Sequence, residues 1–241
     1  MGRAKDIIVK VIPAQVATPF VKAHHYSGRV VTNSCLHFGV FMDGVLHGVM
    51  SFGPSMDKKK TIGLIEGTRW NEFLELNRMA FDDELPKNSE SRAISIAIRL
   101  IKKNAPHIRW IISFADGTQC GDGTIYRAAG FVLTGIKPNK TIIELPNGQR
   151  FTDLSLRVDY EAKSIREVCA ALGIECKYRT TKEWLDLGAK FVEGNMMRYI
   201  YIIDKSCRLT VPIIPFDEIK KKGASMYKGQ FRKEFDNELD S

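Results

Sequence analysis

The stretch from Leu74 to Phe131 constrains the fold more than any other part of the chain, because it passes through strand, helix and strand in one continuous run. LELNRMAF (74–81) alternates apolar and polar residues, and DDELPKNSES then turns the chain into a helix. Ala93, Ile94, Ala97, Ile98, Leu100 and Ile101 give that helix a broad apolar face, with Arg92, Ser95, Arg99, Lys102 and Lys103 opposite. Asn88 or Ser89 is the expected cap at its start, and Asn104 with Pro106 ends it. RWIISFA (109–115) follows as a short, mostly apolar strand suited to burial. Together these predict a βαβ unit, with a crossover helix joining strands of one sheet.

The flanking sequence fits the same class. LHFGVFM (36–42) and VLHGVMSF (45–52) meet at Asp43-Gly44, a pair that tolerates positive φ and so predicts a two-residue hairpin. Residues 14–25 predict a helix broken or kinked near Pro19, and PSMDKKKTIG an exposed loop. After the βαβ unit, Asp122 is expected to cap the short helical run TIYRAA, Gly130 to stop it, and FVLTGI (131–136) to form another strand. The expected fold is α/β, a mixed central sheet flanked by helices over residues 1–145. An extension over 146–215 is expected to hold helices near 161–172 and 182–191 and a strand at 199–203. Residues 216–241 read as a charged tail.

Composition narrows the class further. With 44% hydrophobic residues in 241, the chain can bury a sizeable core. No apolar run approaches the roughly 18 residues of a membrane span, and MGRAKDIIVKVIP has neither the apolar stretch nor the cleavage site of a signal peptide. A cytoplasmic protein is expected. The five cysteines form no C-x-x-C pair, so their spacing supports neither a zinc ribbon nor a redox dithiol. The net charge of +8 suits an anionic partner, and Lys220–Lys233 carries six positive charges and no negative one. Scattered solvated lysines would give the same total.

In an open α/β sheet, ligands bind beyond the carboxyl ends of the strands. Asp116 leaves the 109–115 strand into a loop whose Gly117, Gly121 and Gly123 let the chain turn closely and present N–H groups. Asp116, Tyr126 on the short helix behind it and Ser113 on the strand are therefore the candidate catalytic residues, whereas Asp122 is read as a cap alone. Arg78 with Lys87, Asn88, Ser89, Ser91 and Arg92 forms the candidate phosphate site, at the start of the long helix. His25, Tyr26, Ser27 and Trp70 are candidate substrate contacts, with Phe52 as another aromatic able to stack on a base. Taken singly, each of these aromatics fits a core position as well. Cys120 has no neighbour that would activate a thiol and is set aside.

The succession hairpin, strand, helix, strand, short helix and strand, ending in DGTIYRAAGF, resembles the GNAT acyltransferase fold. More specifically, LNRMAFDDELPKNSESRAISIAIRLIKK and ISFADGTQCGDGTIYRAAGF resemble the phage Mom family, over roughly residues 20–136. That resemblance implies conversion of adenine in double-stranded DNA to N6-carbamoylmethyladenine, which shields phage DNA from restriction in the host cytoplasm. It also implies Tyr126 as general acid and an association with iron, for which His25, His37 and Asp116 are the set to test. The turn KNSESRA holds none of the glycines with which GNAT loops wrap acetyl-CoA, so an acyl donor such as glycyl-tRNA is favoured over acetyl-CoA, and tRNA becomes a candidate partner. Two alternatives stay open: a GNAT N-acetyltransferase acting on a small amine or peptide, and a non-enzymatic DNA-binding protein.

Overall fold

Alternation in the first half of the chain supplies five strands of a seven-stranded sheet. The computed structural model describes residues 3–227 and 230–231. After a 3-10 turn (Arg3–Asp6), the order is β1 (Ile8–Val11), α1 (Ala14–His24), β2 (Leu36–Met42), β3 (Val45–Gly53), α2 (Lys58–Ile62) and β4 (Phe73–Phe81). Then come α3 (Ser89–Asn104), β5 (Trp110–Asp116), α4 (Thr124–Ala128), β6 (Val132–Pro138), β7 (Ile142–Glu144) and β8 (Arg150–Thr152). The rest is α5 (Asp153–Val158), α6 (Lys163–Ala171), α7 (Thr181–Asp186), β9 (Lys190–Phe191), β10 (Asn195–Ile202), α8 (Asp217–Lys221), β11 (Met226–Tyr227) and β12 (Gln230–Phe231).

The large sheet runs β1-β2-β3-β4-β5-β10-β6. Its first four strands pair antiparallel, and β4 then pairs parallel with β5, Leu74 opposite Ile111 and Leu76 opposite Ser113. The expected βαβ unit is thus present, with α3 as crossover and Ala93, Ile94, Ala97, Ile98 and Ile101 buried. The expected hairpin is also present: Asp43 and Gly44 have φ of 53° and 83°, the two left-handed residues of a type I′ turn. On one face of the sheet, Ala17 and Val21 of α1 pack against Val49 and Ala80.

Several local expectations are corrected. α1 is not broken at Pro19 but continues through it to His24, because burial of Ala17 and Val21 on either side outweighs the one backbone bond that proline removes. Residues 58–62 form a helix instead of a loop, with the Lys60 N–H capped by Asp57 and Thr61 buried against Ser55. At α3, Asn88 occupies the cap position in a left-handed conformation and makes no side-chain cap bond, while the Ser89 hydroxyl donates back to Pro86. Gly123, not Asp122, precedes α4. The helix expected to reach residue 191 ends at Asp186, because Gly188 at φ 91° turns the chain into β9. β1 and the first residues of β10 extend the sheet beyond the strands expected.

The chain divides into two compact units, each discontinuous in sequence: 1–115 with 123–135 and 197–222, and 116–122 with 136–196 and 223–241. A division colinear with the sequence, at 145 and 215, was expected. The first unit holds the body of the large sheet. The second gathers Ile143, Leu156, Val168 and Trp184 into a core of its own beside the antiparallel β8-β7-β9 sheet. α8 occupies the start of the segment read as a tail, and residues 232–241 lie outside the described residues.

The start of α4 tolerates only glycine. Gly123 has φ 80°, and a Cβ there would stand 2.4 Å from the Tyr199 ring. Gly123→Ala is expected to cost about 1–3 kcal/mol, from left-handed strain plus overpacking. Urea unfolding checks this, and a shift within error of zero would contradict it.

Candidate functional site

Three polar groupings take up most of the sequence candidates. The first lies where the 25–35 segment meets β3 and β4. His25 Nδ1 accepts the Ser27 N–H at 3.1 Å and lies 2.8 Å from the Ser27 hydroxyl, so a neutral ring carries its proton on Nε2. Burial, and then the positive charge of Arg78, push His25 down to about 4. The half-exposed Tyr26 ring lies 4.2 Å from the His25 ring. Arg78 donates from Nε to the Arg29 carbonyl at 2.9 Å and from a terminal nitrogen to the Asn77 carbonyl at 2.7 Å, and burial lowers its pKa.

Sequence reasoning overlooked three neighbours of this grouping. Glu75 is raised by burial, against the opposing pull of the Ser55 hydroxyl, Arg78 and the Met56 N–H. The Ser34 hydroxyl donates to Asn77 Oδ1 at 2.9 Å, and Asn33 Nδ2 donates to the Pro54 carbonyl at 2.8 Å. Asn77 was legible beside Arg78 in the sequence, and its period-two spacing from Glu75 on the strand was a usable signal for Glu75. Nothing in the sequence announced Asn33 or Ser34, which sit in an irregular segment.

The second grouping is a groove of about 370 Å³ at the start of α3, lined by Lys5, Asn88, Ser91, Arg92, Ser95 and Arg99. Asn88, Ser91 and Arg92 come together as expected. Lys87 is exposed and lies off the groove lining, and Ser89 is buried with its hydroxyl spent on Pro86. Lys5 and Arg99 join instead, with an Arg92 terminal nitrogen 3.3 Å from the Lys5 carbonyl. Arg99 was legible on the polar face of the helix. Lys5 comes from a distant part of the sequence and was not.

The third grouping belongs to the second unit. Asp116 Oδ1 accepts from the Thr118 N–H at 2.9 Å, from the Thr118 hydroxyl and from Asn139 Nδ2 at 2.7 Å. All three bonds converge on one oxygen, and Oδ2 takes none of them. The loop N–H groups expected to face a ligand are largely spent on the backbone: Gly117 donates to Asn195, and Gln119 and Cys120 donate to Asp116. Burial, then Asp116, push the Cys120 thiol up to about 11, the opposite of an activated nucleophile.

The remaining candidates scatter. Ser113 is fully buried, and its hydroxyl donates to the Leu76 carbonyl inside the sheet. Tyr126 is 7% exposed, its ring 5.5 Å from Phe131 and 5.3 Å from Tyr199. Phe52 is core, edge-on to Phe38. Trp70 is exposed beneath Lys58. His37 Nδ1 lies 2.8 Å from the Ser51 hydroxyl. Among the described residues, no group of three or more His, Cys, Asp or Glu side chains is placed to hold a metal ion, so His25, His37 and Asp116 do not form one. No helix among them is long and apolar enough to cross a membrane.

Charge is unevenly divided. The first unit carries 23 basic and 13 acidic side chains, and the second 13 and 15. The basic surplus of the whole chain therefore sits in the unit that holds the groove.

A family model described as the Mom protein family matches residues 6–218. The methylcarbamoylase Mom of Escherichia phage Mu is 36% identical over 154 residues, which span 64% of this chain and 63% of that protein. Among solved structures, an acetyltransferase of Bacillus subtilis in complex with CoA aligns with TM-score 0.44 at 11% identity, covering 82% of this chain and 99% of that one. A ribosomal-protein-S5-alanine acetyltransferase from Vibrio fischeri aligns with TM-score 0.44 at 14% identity, covering 83% and 94%.

His25 makes the fold sensitive to acid. A ring held neutral to about 4 in the fold but protonating near 6.5 when unfolded gives the unfolded chain the extra proton between those values. Stability present above pH 6.5 is expected to be lost progressively as pH falls toward 4. Urea unfolding at pH 7 and pH 5 measures the loss, and His25→Gln should flatten the difference. An unchanged difference would contradict it.

Proposed function

The chain belongs to the Mom protein family, and on that premise we propose that it modifies adenine in double-stranded DNA. The observation that carries this reading is the family match over residues 6–218, supported by identity to a phage methylcarbamoylase. The expected product is N6-carbamoylmethyladenine, and the expected benefit is protection of phage DNA from restriction in the host cytoplasm.

The proposed chemistry starts with an activated glycine. Transfer of glycyl to adenine N6 forms an amide, N6–CO–CH2–NH2, and releases the donor's hydroxyl. The free amine then attacks C6 through a five-membered ring, and the original C6–N6 bond breaks. What remains is C6–NH–CH2–CO–NH2, with every atom accounted for and no second nitrogen source. Glycyl-tRNA supplies such a donor, and the glycine-free start of α3 favours it over acetyl-CoA. The groove with Lys5, Arg92 and Arg99 suits the phosphates of either.

The residues then take distinct parts in the proposal. Asp116 Oδ2 accepts from the adenine amino group, while Thr118 and Asn139 hold the carboxylate still through Oδ1. Tyr126 protonates the leaving oxygen. Arg78 and Arg92 offset negative charge on phosphate or on the developing oxyanion. Tyr26 is the aromatic in this set with an exposed ring beside His25, and it stacks on the extruded base. The buried Ser113 takes no part, and among the described residues His25, His37 and Asp116 are not grouped as a metal-ligand set.

Mass analysis of nucleosides from cells expressing the protein tests this directly. A carbamoylmethyl adduct on adenine is expected, and Asp116→Ala or Tyr126→Phe should lower its yield roughly 100-fold or more. Yield unaffected by both changes would sink these two assignments, and absence of the adduct from wild-type cells would sink the function. With purified protein and plasmid DNA, glycyl-tRNA should support modification and acetyl-CoA should not. In that assay Arg92→Ala should raise the KM for the donor with little change in kcat if Arg92 holds phosphate, and a matching fall in kcat would assign it to the oxyanion.

A further inference from the structure

Among the described residues, three buried side-chain polar atoms lack a hydrogen-bond partner, and two of them belong to residues connected through Ser34: Asn33 Oδ1 and Asn77 Nδ2. Ser34, next in sequence to Asn33, donates to the same Asn77 side chain at 2.9 Å. A buried polar atom without a partner is costly enough that natural proteins rarely keep one without a use. We propose that Asn33 and Asn77 read the target base, Asn77 Nδ2 donating to a ring nitrogen and Asn33 Oδ1 accepting from the exocyclic amine. This rests on the reading of adenine in DNA as substrate.

The orientation of each amide is set by its other end. Asn33 Nδ2 is tied to the Pro54 carbonyl at 2.8 Å, and Asn77 Oδ1 receives the Ser34 hydroxyl. One fixed donor and one fixed acceptor remain, the complement of the amine-plus-ring-nitrogen edge of adenine. The backbone is built to keep them there: a Cβ on Gly53 would stand 2.5 Å from the Asn33 carbonyl, so only glycine lets β3 approach so closely. Arg78, next to Asn77, ties the same segment down through the Arg29 carbonyl, and the exposed Tyr26 ring stands in that segment. Both amide atoms are covered by protein in the unliganded chain, so in this proposal a base reaches them only once it is extruded from the duplex and the irregular 25–35 segment gives way.

Equilibrium binding of three labelled oligonucleotides tests the assignment. They differ at one position, which holds adenine, purine without its amine, or an abasic site. Wild type is expected to prefer adenine to purine, and purine to the abasic strand, each by an order of magnitude or so. Asn33→Ala should bring adenine down to the level of purine and leave purine binding unchanged. Asn77→Asp should weaken adenine and purine alike and leave abasic binding unchanged. Thermal unfolding checks that each variant is folded. Folded variants that keep wild-type discrimination would overturn the proposal, as would a wild type that binds all three strands equally while cells still make the adenine adduct. A protein that neither binds DNA nor makes the adduct would instead overturn the functional reading beneath it.

Discussion

Parallel pairing of β4 with β5 is the constraint from which the rest of the first unit follows. Antiparallel neighbours can be joined by two residues, as β2 and β3 are, but parallel ones need a crossover that returns the chain to the same end of the sheet. α3 supplies that return, and its start is thereby placed where β4 ends. The first turn of the helix, with Asn88, Ser91 and Arg92, lines the groove for that reason, and the 3-10 turn with Lys5 completes it. Asn77 and Arg78 lie on the strand that feeds the helix. A connection needed for pairing also sets the positions of both polar groupings in the first unit.

Electrostatics divide along the same lines. Ten surplus positive charges belong to the first unit, and the second is slightly acidic. Long-range attraction of a polyanion falls on the first unit, whereas Asp116 sits in an environment governed by short bonds to Thr118 and Asn139. Within the first unit, Arg78 is the common neighbour: it helps depress His25 and opposes the rise that burial imposes on Glu75. Arg78 thus works with burial at His25 and against burial at Glu75, favouring the neutral ring and the ionised carboxylate.

Legibility in the sequence followed the range of the forces involved. Strand alternation, the amphipathic stripe of α3 and the Asp43-Gly44 turn are local signals, and each produced its element where expected. α1 was harder, because Pro19 argues locally for a break while packing against Val49 and Ala80 decides otherwise. The same holds at the site. Asn88, Ser91, Arg92, His25, Tyr26 and Arg78 could be named from motif and spacing. Lys5, Asn33 and Asn139 could not, because each reaches its place through contacts 21 or more positions away. Ser113 was named for its neighbourhood in sequence, yet strand periodicity turns its side chain into the sheet.

Asn88 opens α3 in a left-handed conformation with no side chain closing the helix end. Most helices begin with a hydroxyl or carboxylate folded over the first N–H groups, and that side chain must leave before any other acceptor can take its place. α3 lacks that step. An anion arriving there has no capping side chain to displace, so its association rate should follow diffusion and ionic strength instead of a local conformational change. Exchange of anions at this end of the helix is therefore limited by solvent and salt and not by the release of a capping side chain.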